Sequence, residues 1–202
     1  MPKTPKYIEK LHQLIRSEPT PQQIENIENE LYLSSSDRAA AIMWSSFLEV
    51  GLERLLACML RNDLSPDDRK NVFGFGGALN SFSSKIVMAY ALKLIGPQTR
   101  FDFDQIKFLR NVFAHSWTSI SFETPEVSAV CDQLKMPDTP QTYVPQAYLS
   151  KLPESQRAAA SDINHPKTRF ITTCHTIAYR MLIANRGVRP GDSVFPDDEP
   201  LP

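Results

Sequence analysis

The sequence predicts an all-α fold, a single helical bundle, and three observations carry that expectation. Apolar residues recur at three- and four-residue spacing in each long segment, the period of a helix that buries one face. No segment alternates polar and apolar residues for long enough to build a sheet; Trp117 to Phe122 is the one stretch that reads as a strand. A chain of 202 residues with 42% hydrophobic content is also large enough for one sizeable core, and so for one domain.

The elements follow in order. Tyr7, Leu11, Leu14 and Ile15 mark a first helix, and Pro19 and Pro21 interrupt it. A short second helix is expected over Pro21 to Leu31. Ser34, Ser35, Ser36 and Asp37 are N-cap residues, so the strongest helix is predicted over Asp37–Arg61. Its apolar stripe reads as Ile42, Met43, Phe47, Val50, Leu55, Met59 and Leu60, and Gly51 within it allows close packing of a neighbouring helix. Residues 72–79 hold three of the seven glycines and read as a loop. Asn80 or Ser81 caps the next helix, Phe82–Ile95, which Gly96-Pro97 stops. A helix over Asp102–Ser116 carries Ile106, Leu109 and Phe113 on one face and Phe108 and Val112 on a second. Two apolar faces predict a central position. Residues 135–166 contain five prolines and predict a long connection with short helical pieces. A closing helix spans Lys167–Asn185. Residues 1–186 thus form the expected helical domain. Residues 187–202 carry four prolines and four acidic residues against Arg189, the composition of an extended, disordered tail.

Charge and cysteine content bound the function. Twenty-two basic residues stand against 23 acidic ones, net −1. A wholly polybasic nucleic-acid binder is excluded, while a local basic site is not. Cys58, Cys131 and Cys174 are odd in number and widely spaced, which predicts no disulfide framework and fits the reducing cytosol. The N-terminus has no hydrophobic signal core, and the longest apolar run, Ile86 to Leu92, is too short to cross a bilayer. A cytoplasmic protein without membrane contact is expected.

The chemically informative stretch is Leu109-Arg110-Asn111-Val112-Phe113-Ala114-His115. At ~100° per residue, Asn111 and His115 lie about 40° apart and Arg110 about 140° from His115. A guanidinium, an amide and an imidazole in reach of one another can handle a phosphate. The guanidinium pairs with its oxygens and the amide orients a hydroxyl. An imidazole, whose ordinary pKa is near ~6.5, can move a proton at neutral pH. The same spacing has a purely structural reading. Arg110 then pairs with Glu49 or Glu53 of the long helix, and Asn111 and His115 satisfy the helix C-terminus.

Arg110-Asn111-x-x-x-His115 resembles the R-x(4–6)-H signature of HEPN domains (higher eukaryotes and prokaryotes nucleotide-binding). A wider set is similar to the mannitol-operon repressor family within that superfamily. It comprises Asp37-Arg38-Ala39-Ala40, Gly76-Gly77-Ala78-Leu79, Phe82-Ser83-Ser84-Lys85-Ile86, Ala89-Tyr90-Ala91-Leu92 and Phe108-Leu109-Arg110-Asn111, within roughly residues 35–127. The resemblance implies an all-α bundle that forms a homodimer, with the motifs of two subunits meeting at the interface. It implies a metal-independent endoribonuclease of toxin or defence type, needing no cofactor, in which the ribose 2′-hydroxyl attacks the adjacent phosphate. His115 would move the proton, Arg110 hold the phosphate and Asn111 orient the motif. Repressor-like relatives need not be enzymes. The alternative is therefore a non-enzymatic regulator of transcription that works through protein or nucleotide contacts; no helix-turn-helix is recognisable. An antitoxin, for the toxin-type reading, or a regulatory protein is an expected partner.

Other candidates are weaker. Ser83, Ser84 and Lys85 at a helix start, with Lys107, form a candidate anion- or RNA-binding set; helix capping also explains the serines. Phe73-Gly74-Phe75-Gly76-Gly77 lacks the G-K-[ST] of a phosphate loop and reads as a sharp turn. His165, Cys174 and His175 match no common zinc spacing, so no metal site is expected.

Overall fold

The computed structural model describes residues 20–32, 36–61, 63–138 and 144–184. These residues form helices and connections, with no strand among them. The expected first helix at Tyr7–Ile15, Asn185 and the acidic tail 187–202 lie outside the described residues. The helices are α1 (Pro21–Tyr32), α2 (Asp37–Met59), α3 (Pro66–Phe73), α4 (Phe82–Ala91) and α5 (Pro97–His115). They continue with α6 (Pro125–Cys131), a 3₁₀ turn (Met136–Asp138), α7 (Gln146–Lys151), α8 (Glu154–Ser161) and α9 (Pro166–Ala184). Among the described residues no helix is long and apolar enough to cross a membrane.

The central element is α2, not α5 as the two-faced pattern predicted. It packs against α9 on one side and against α4 and α5 on the other, and α1 lies along it. Its buried face is Ala40, Ala41, Trp44, Ser45, Leu48, Leu52, Leu55 and Leu56, rotated from the predicted stripe. Of that stripe, only Leu55 belongs to this face; Val50 is exposed and Met43, Phe47 and Met59 are partly buried. Alanines at 40 and 41 are as buried as the leucines because they let neighbouring helices approach closely. A Cβ at Gly51 would stand 2.9 Å from the Met181 Cε, so the glycine marks the close contact of α2 with α9. Helix α5 buries Phe103, Ile106, Leu109 and Phe113 and turns Phe108 outward, half exposed.

Boundaries differ from the expected ones where start signals were read as stops. Pro97 opens α5 at its first turn, with Gly96 as N-cap, so the helix begins five residues before Asp102. Proline is tolerated there because that N–H has no intrahelical acceptor in any case. Helix α4 ends at Ala91, because Lys93 adopts φ 59° and closes a Schellman turn. Its N–H donates to the Tyr90 carbonyl at 3.0 Å and the Leu94 N–H to Ala89 at 2.9 Å. That turn delivers Leu94 and Ile95 into the core. Helix α3 was unforeseen. Ser65 caps it, Pro66 opens it, and Asp67 and Asp68 sit in its first turn. It fully buries no residue and packs only Val72 and Phe73, at its last turn, against the core, so it shows no apolar period.

The expected strand at Trp117–Phe122 is a loop. A bundle offers it no partner strand, and side chains of α2 take its backbone groups instead. Arg38 donates to the carbonyls of Ser116 and Thr118, and the Asp37 carboxylate accepts the Phe122 N–H at 3.0 Å. Phe122 is thereby seated between Phe113 and Phe170, with ring centroids 5.1 and 5.0 Å away.

The connection over 135–166 does contain short helical pieces, and two buried charges hold its entry. Asp102 of α5 is fully buried, and its two carboxylate oxygens accept the N–H groups of Lys135 and Met136, each at 2.7 Å. Arg169 of α9 donates to the carbonyls of Cys131 and Leu134 and to the Asp138 carboxylate. Asp102→Ala removes both acceptors from buried N–H groups. It should cost roughly 2–4 kcal/mol, read by urea denaturation. A loss below about 1 kcal/mol would show that water or a neighbouring group replaces the carboxylate.

An aromatic cluster closes the α1 end. Tyr32 meets Trp44, Tyr148 and His175 at 5.6, 5.5 and 6.1 Å, and His175 stacks on Tyr179. Burial lowers the His175 pKa from its ordinary value. The folded chain thus favours neutral imidazole, and the unfolded chain binds more protons as pH falls. This stability contribution is complete above ~6.5, the ordinary histidine pKa, and declines as pH drops through it toward the lowered folded value. Thermal melts at pH 7.5 and pH 5 should therefore show a smaller acid loss in His175→Gln than in the wild type. An equal loss would assign the acid sensitivity elsewhere.

Candidate functional site

The site begins with the ion network under α5. Lys85 of α4 is turned inward, its side chain only 5% exposed, with Nζ 2.7 Å from Glu53 and 3.3 Å from Glu49 of α2. Glu49, 17% exposed, also receives Arg110 Nη1 at 2.9 Å through its other oxygen. One carboxylate therefore joins α4 and α5 to α2. A buried ammonium costs several kcal/mol of lost hydration unless it is paired, and two carboxylates pair this one.

This arrangement corrects the expected anion-binding set. Lys85 serves as an internal counter-ion with both neighbouring carboxylates upon it, so it does not present its charge to an outside anion. Ser83 is exposed on the opposite side of α4. Ser84 belongs to a capping box with Ser81, in which each hydroxyl accepts the other residue's N–H at 3.1 and 3.2 Å. The first-turn N–H groups an anion would use are thus partly taken. Lys107 pairs with Asp104 one turn away on α5 at 2.7 Å. The four residues do not converge.

The catalytic candidates divide. Asn111 and His115 lie one turn apart on the outward face of α5, both exposed. No hydrogen bond to either side chain occurs among the described residues. Phe108, 52% exposed, and the half-buried Val112 share that face. Arg110 points about 140° away from His115 around the helix, toward Glu49, and is 32% exposed. Within one chain the structure brings Asn111 and His115 together and keeps Arg110 on the other flank. The structural reading of the sequence thus holds for the Arg110–Glu49 pair, and His115 also lies in the last turn of α5, where a cation is favourable.

The turn after His115 contains residues that sequence reasoning missed. Arg38 Nη2 donates to Ser116 O at 3.0 Å and to Thr118 O at 3.3 Å. The Ser116 hydroxyl accepts the Thr118 N–H at 3.2 Å and donates to the Thr118 carbonyl at 3.1 Å. Between these fixed residues Trp117 stands fully in solvent, at 101% of its reference exposure. Arg38 makes no ion pair among the described residues, so its charge is uncompensated beside the turn. The only sequence signal for this role was an arginine two residues past a helix N-cap, too common to interpret.

Other candidates resolve into structure. Burial pushes the Cys131 thiol up to about 12 and raises Cys174 well above its ordinary value, so both stay protonated and poorly nucleophilic. No three His, Cys, Asp or Glu side chains gather as a metal-binding group among the described residues. The glycine segment is a tight turn. The Leu79 N–H reaches back to the Val72 carbonyl at 2.8 Å, and a Cβ at Gly77 would lie 2.5 Å from that carbonyl oxygen.

Removing Glu49 and removing Lys85 should have unequal effects. Glu49→Ala strips a carboxylate from two cations and should destabilise by about 3 kcal/mol. Lys85→Met replaces the ammonium stem with an apolar chain. Glu49 keeps Arg110, and Glu53 is 40% exposed to water, so the loss should stay within ~1 kcal/mol. Denaturant melts of both variants check this; a larger loss for Lys85→Met would reverse the assignment of Glu49 as the hub.

No family model, curated protein or solved structure matches the chain.

Proposed function

We propose that the chain is a metal-independent endoribonuclease of HEPN type that acts as a homodimer. The observation that supports this reading best is the pair of exposed side chains, Asn111 and His115, at the end of α5, neither of them hydrogen-bonded among the described residues. Arg110 and His115 of one chain diverge, so the reading requires two copies. The outward face of α5, with Phe108 and Val112, is the surface on which a second copy would seat, and two imidazoles would then share one cleft.

The chemistry balances with those groups. A neutral His115 accepts the proton of the ribose 2′-hydroxyl as its oxygen bonds to phosphorus. The bond from phosphorus to the 5′ oxygen breaks, and a protonated His115 from the second copy supplies that oxygen's proton. The products are a 2′,3′-cyclic phosphate and a 5′-hydroxyl. Asn111 orients the attacking hydroxyl. Arg110, anchored to Glu49 through one nitrogen, holds the phosphate with its exposed edge.

A second reading has its own support. The Glu49–Arg110 and Glu49–Lys85–Glu53 pairs make two of the site's cations structural, and net charge is −1. RNA affinity is largely electrostatic, so both facts favour a non-enzymatic, repressor-like regulator working through protein contacts.

The test is cleavage of varied structured and unstructured RNAs by purified protein. The ribonuclease reading expects activity that EDTA leaves intact, because the 2′-hydroxyl replaces a metal-bound water as nucleophile. It also expects a cyclic-phosphate product and a loss of roughly 10²–10⁴-fold in His115→Ala. Arg110→Ala should lose ~10²–10³-fold. Cleavage that survives in His115→Ala would reveal a contaminating nuclease and sink the assignment. Persistent absence of cleavage by the wild type would favour the regulator.

A further inference from the structure

The fully exposed indole of Trp117 is out of keeping with its surroundings. An apolar ring of this size in water loses the stabilisation that burial gives. Here the turn is constrained. Arg38 binds the carbonyls on both sides of Trp117, and the Ser116 hydroxyl locks the backbone of Thr118. The backbone on both sides of the exposed ring is therefore held, two residues past His115.

Its neighbours indicate what it meets. Ser116, Thr118 and Ser119 flank it, and they do not extend an apolar patch. A tryptophan at a protein interface works inside a contiguous, water-excluding surface. A single ring among hydroxyl groups suits a flat partner that covers one face of it. Nucleobases are such partners, and stacking on an aromatic side chain holds a base without reading its sequence. The Arg38 cation, without an ion pair among the described residues, supports a phosphate close by, and carbonyl oxygens that would repel phosphate are engaged by that same guanidinium.

We infer that Trp117 is the stacking platform for an unpaired base of single-stranded RNA, next to the phosphate that His115 faces. The inference rests on the ribonuclease reading for its substrate class. It adds that the strand must be unpaired at this position, because a base inside a duplex has no free face for the ring.

Binding can be tested apart from cleavage. The probe is a ten-nucleotide RNA with 2′-O-methyl groups throughout, which cannot be cut, used alone and annealed to its complement. The chain has two tryptophans, and Trp44 is fully buried, so quenching of the exposed emission reports on Trp117. The single strand should quench that emission in full-length wild type. Trp117→Ala should bind it roughly 5- to 150-fold more weakly, and Trp117→Phe should recover most of the affinity. The duplex should bind wild type and Trp117→Ala alike. An unchanged melting temperature in both variants verifies the fold.

Affinity for the single strand within twofold of wild type in Trp117→Ala would overturn the proposal. So would equal quenching by duplex, or no single-strand binding at millimolar RNA. Loss of self-association in light scattering without loss of RNA affinity would make the ring a protein contact and also overturn it. The two readings fail separately. Native RNA cleaved equally by wild type and Trp117→Ala, but not by His115→Ala, removes the platform and keeps the ribonuclease. Single-strand stacking on Trp117 without any cleavage keeps the platform and removes the ribonuclease.

Discussion

The carboxylate of Glu49 is the constraint on which the described bundle turns. It lies on the central helix, α2, and meets cations from two others: Lys85 of α4 and Arg110 of α5. Apolar burial sets which face of each helix turns inward, but only coarsely, because it is non-directional. Ion pairs across the helix interfaces supply direction. With Arg110 anchored to Glu49, the rest of α5 follows at its helical period. Phe103, Ile106 and Phe113 face the core, and Phe108, Asn111 and His115 face water.

The same helix fixes the segment beyond α5. Asp37 and Arg38 begin α2, and each holds backbone of the 116–122 loop. One helix thereby sets both the azimuth of α5 at its middle and the shape of the turn at its end. A buried pair of this kind is weak support for net stability, since well-packed apolar groups often do as well. Its effect here is on arrangement. Charges that could face a ligand, Lys85 above all, are committed to holding helices. The groups left outside are an amide, an imidazole and an indole, with the Arg38 guanidinium and one edge of Arg110 beside them. The first three are groups for proton transfer and stacking rather than for bulk electrostatic capture of a polyanion.

The fold class was legible because helical period is a local signal, and α2, α4, α5 and α9 carry it strongly. What escaped was whatever depends on partners distant in sequence. The buried stripe of α2 was misjudged because Ala40, Ala41 and Trp44 pack by shape, while Ile42 and Val50 look more apolar but lie off the core face. Helix α3 escaped because only Val72 and Phe73 at its end touch the core, both partly buried, and its caps alone declare its start. Trp117–Phe122 has strand-like composition, yet its backbone is claimed by Asp37 and Arg38, some 80 residues earlier. The candidate site was half legible. Asn111 and His115 stand together as their spacing required. Arg110 went to Glu49, the structural partner its flank allowed. Trp117 was readable as a residue but not as a fixed, exposed ring, because the Arg38 clamp exists only in three dimensions.

The most direct test of the account is whether His115 and Trp117 form one RNA-facing surface. Heteronuclear NMR of the full-length chain can follow the His115 imidazole and Trp117 indole resonances as the uncleavable single strand is added, with the buried Trp44 and half-buried His175 as internal references. The account predicts that His115 and Trp117 shift together along one binding curve while Trp44 and His175 stay in place. Shifts of His115 without Trp117, shifts confined to the N-terminus of α4 around Ser83 and Ser84, or no shift of either residue at saturating RNA would contradict it.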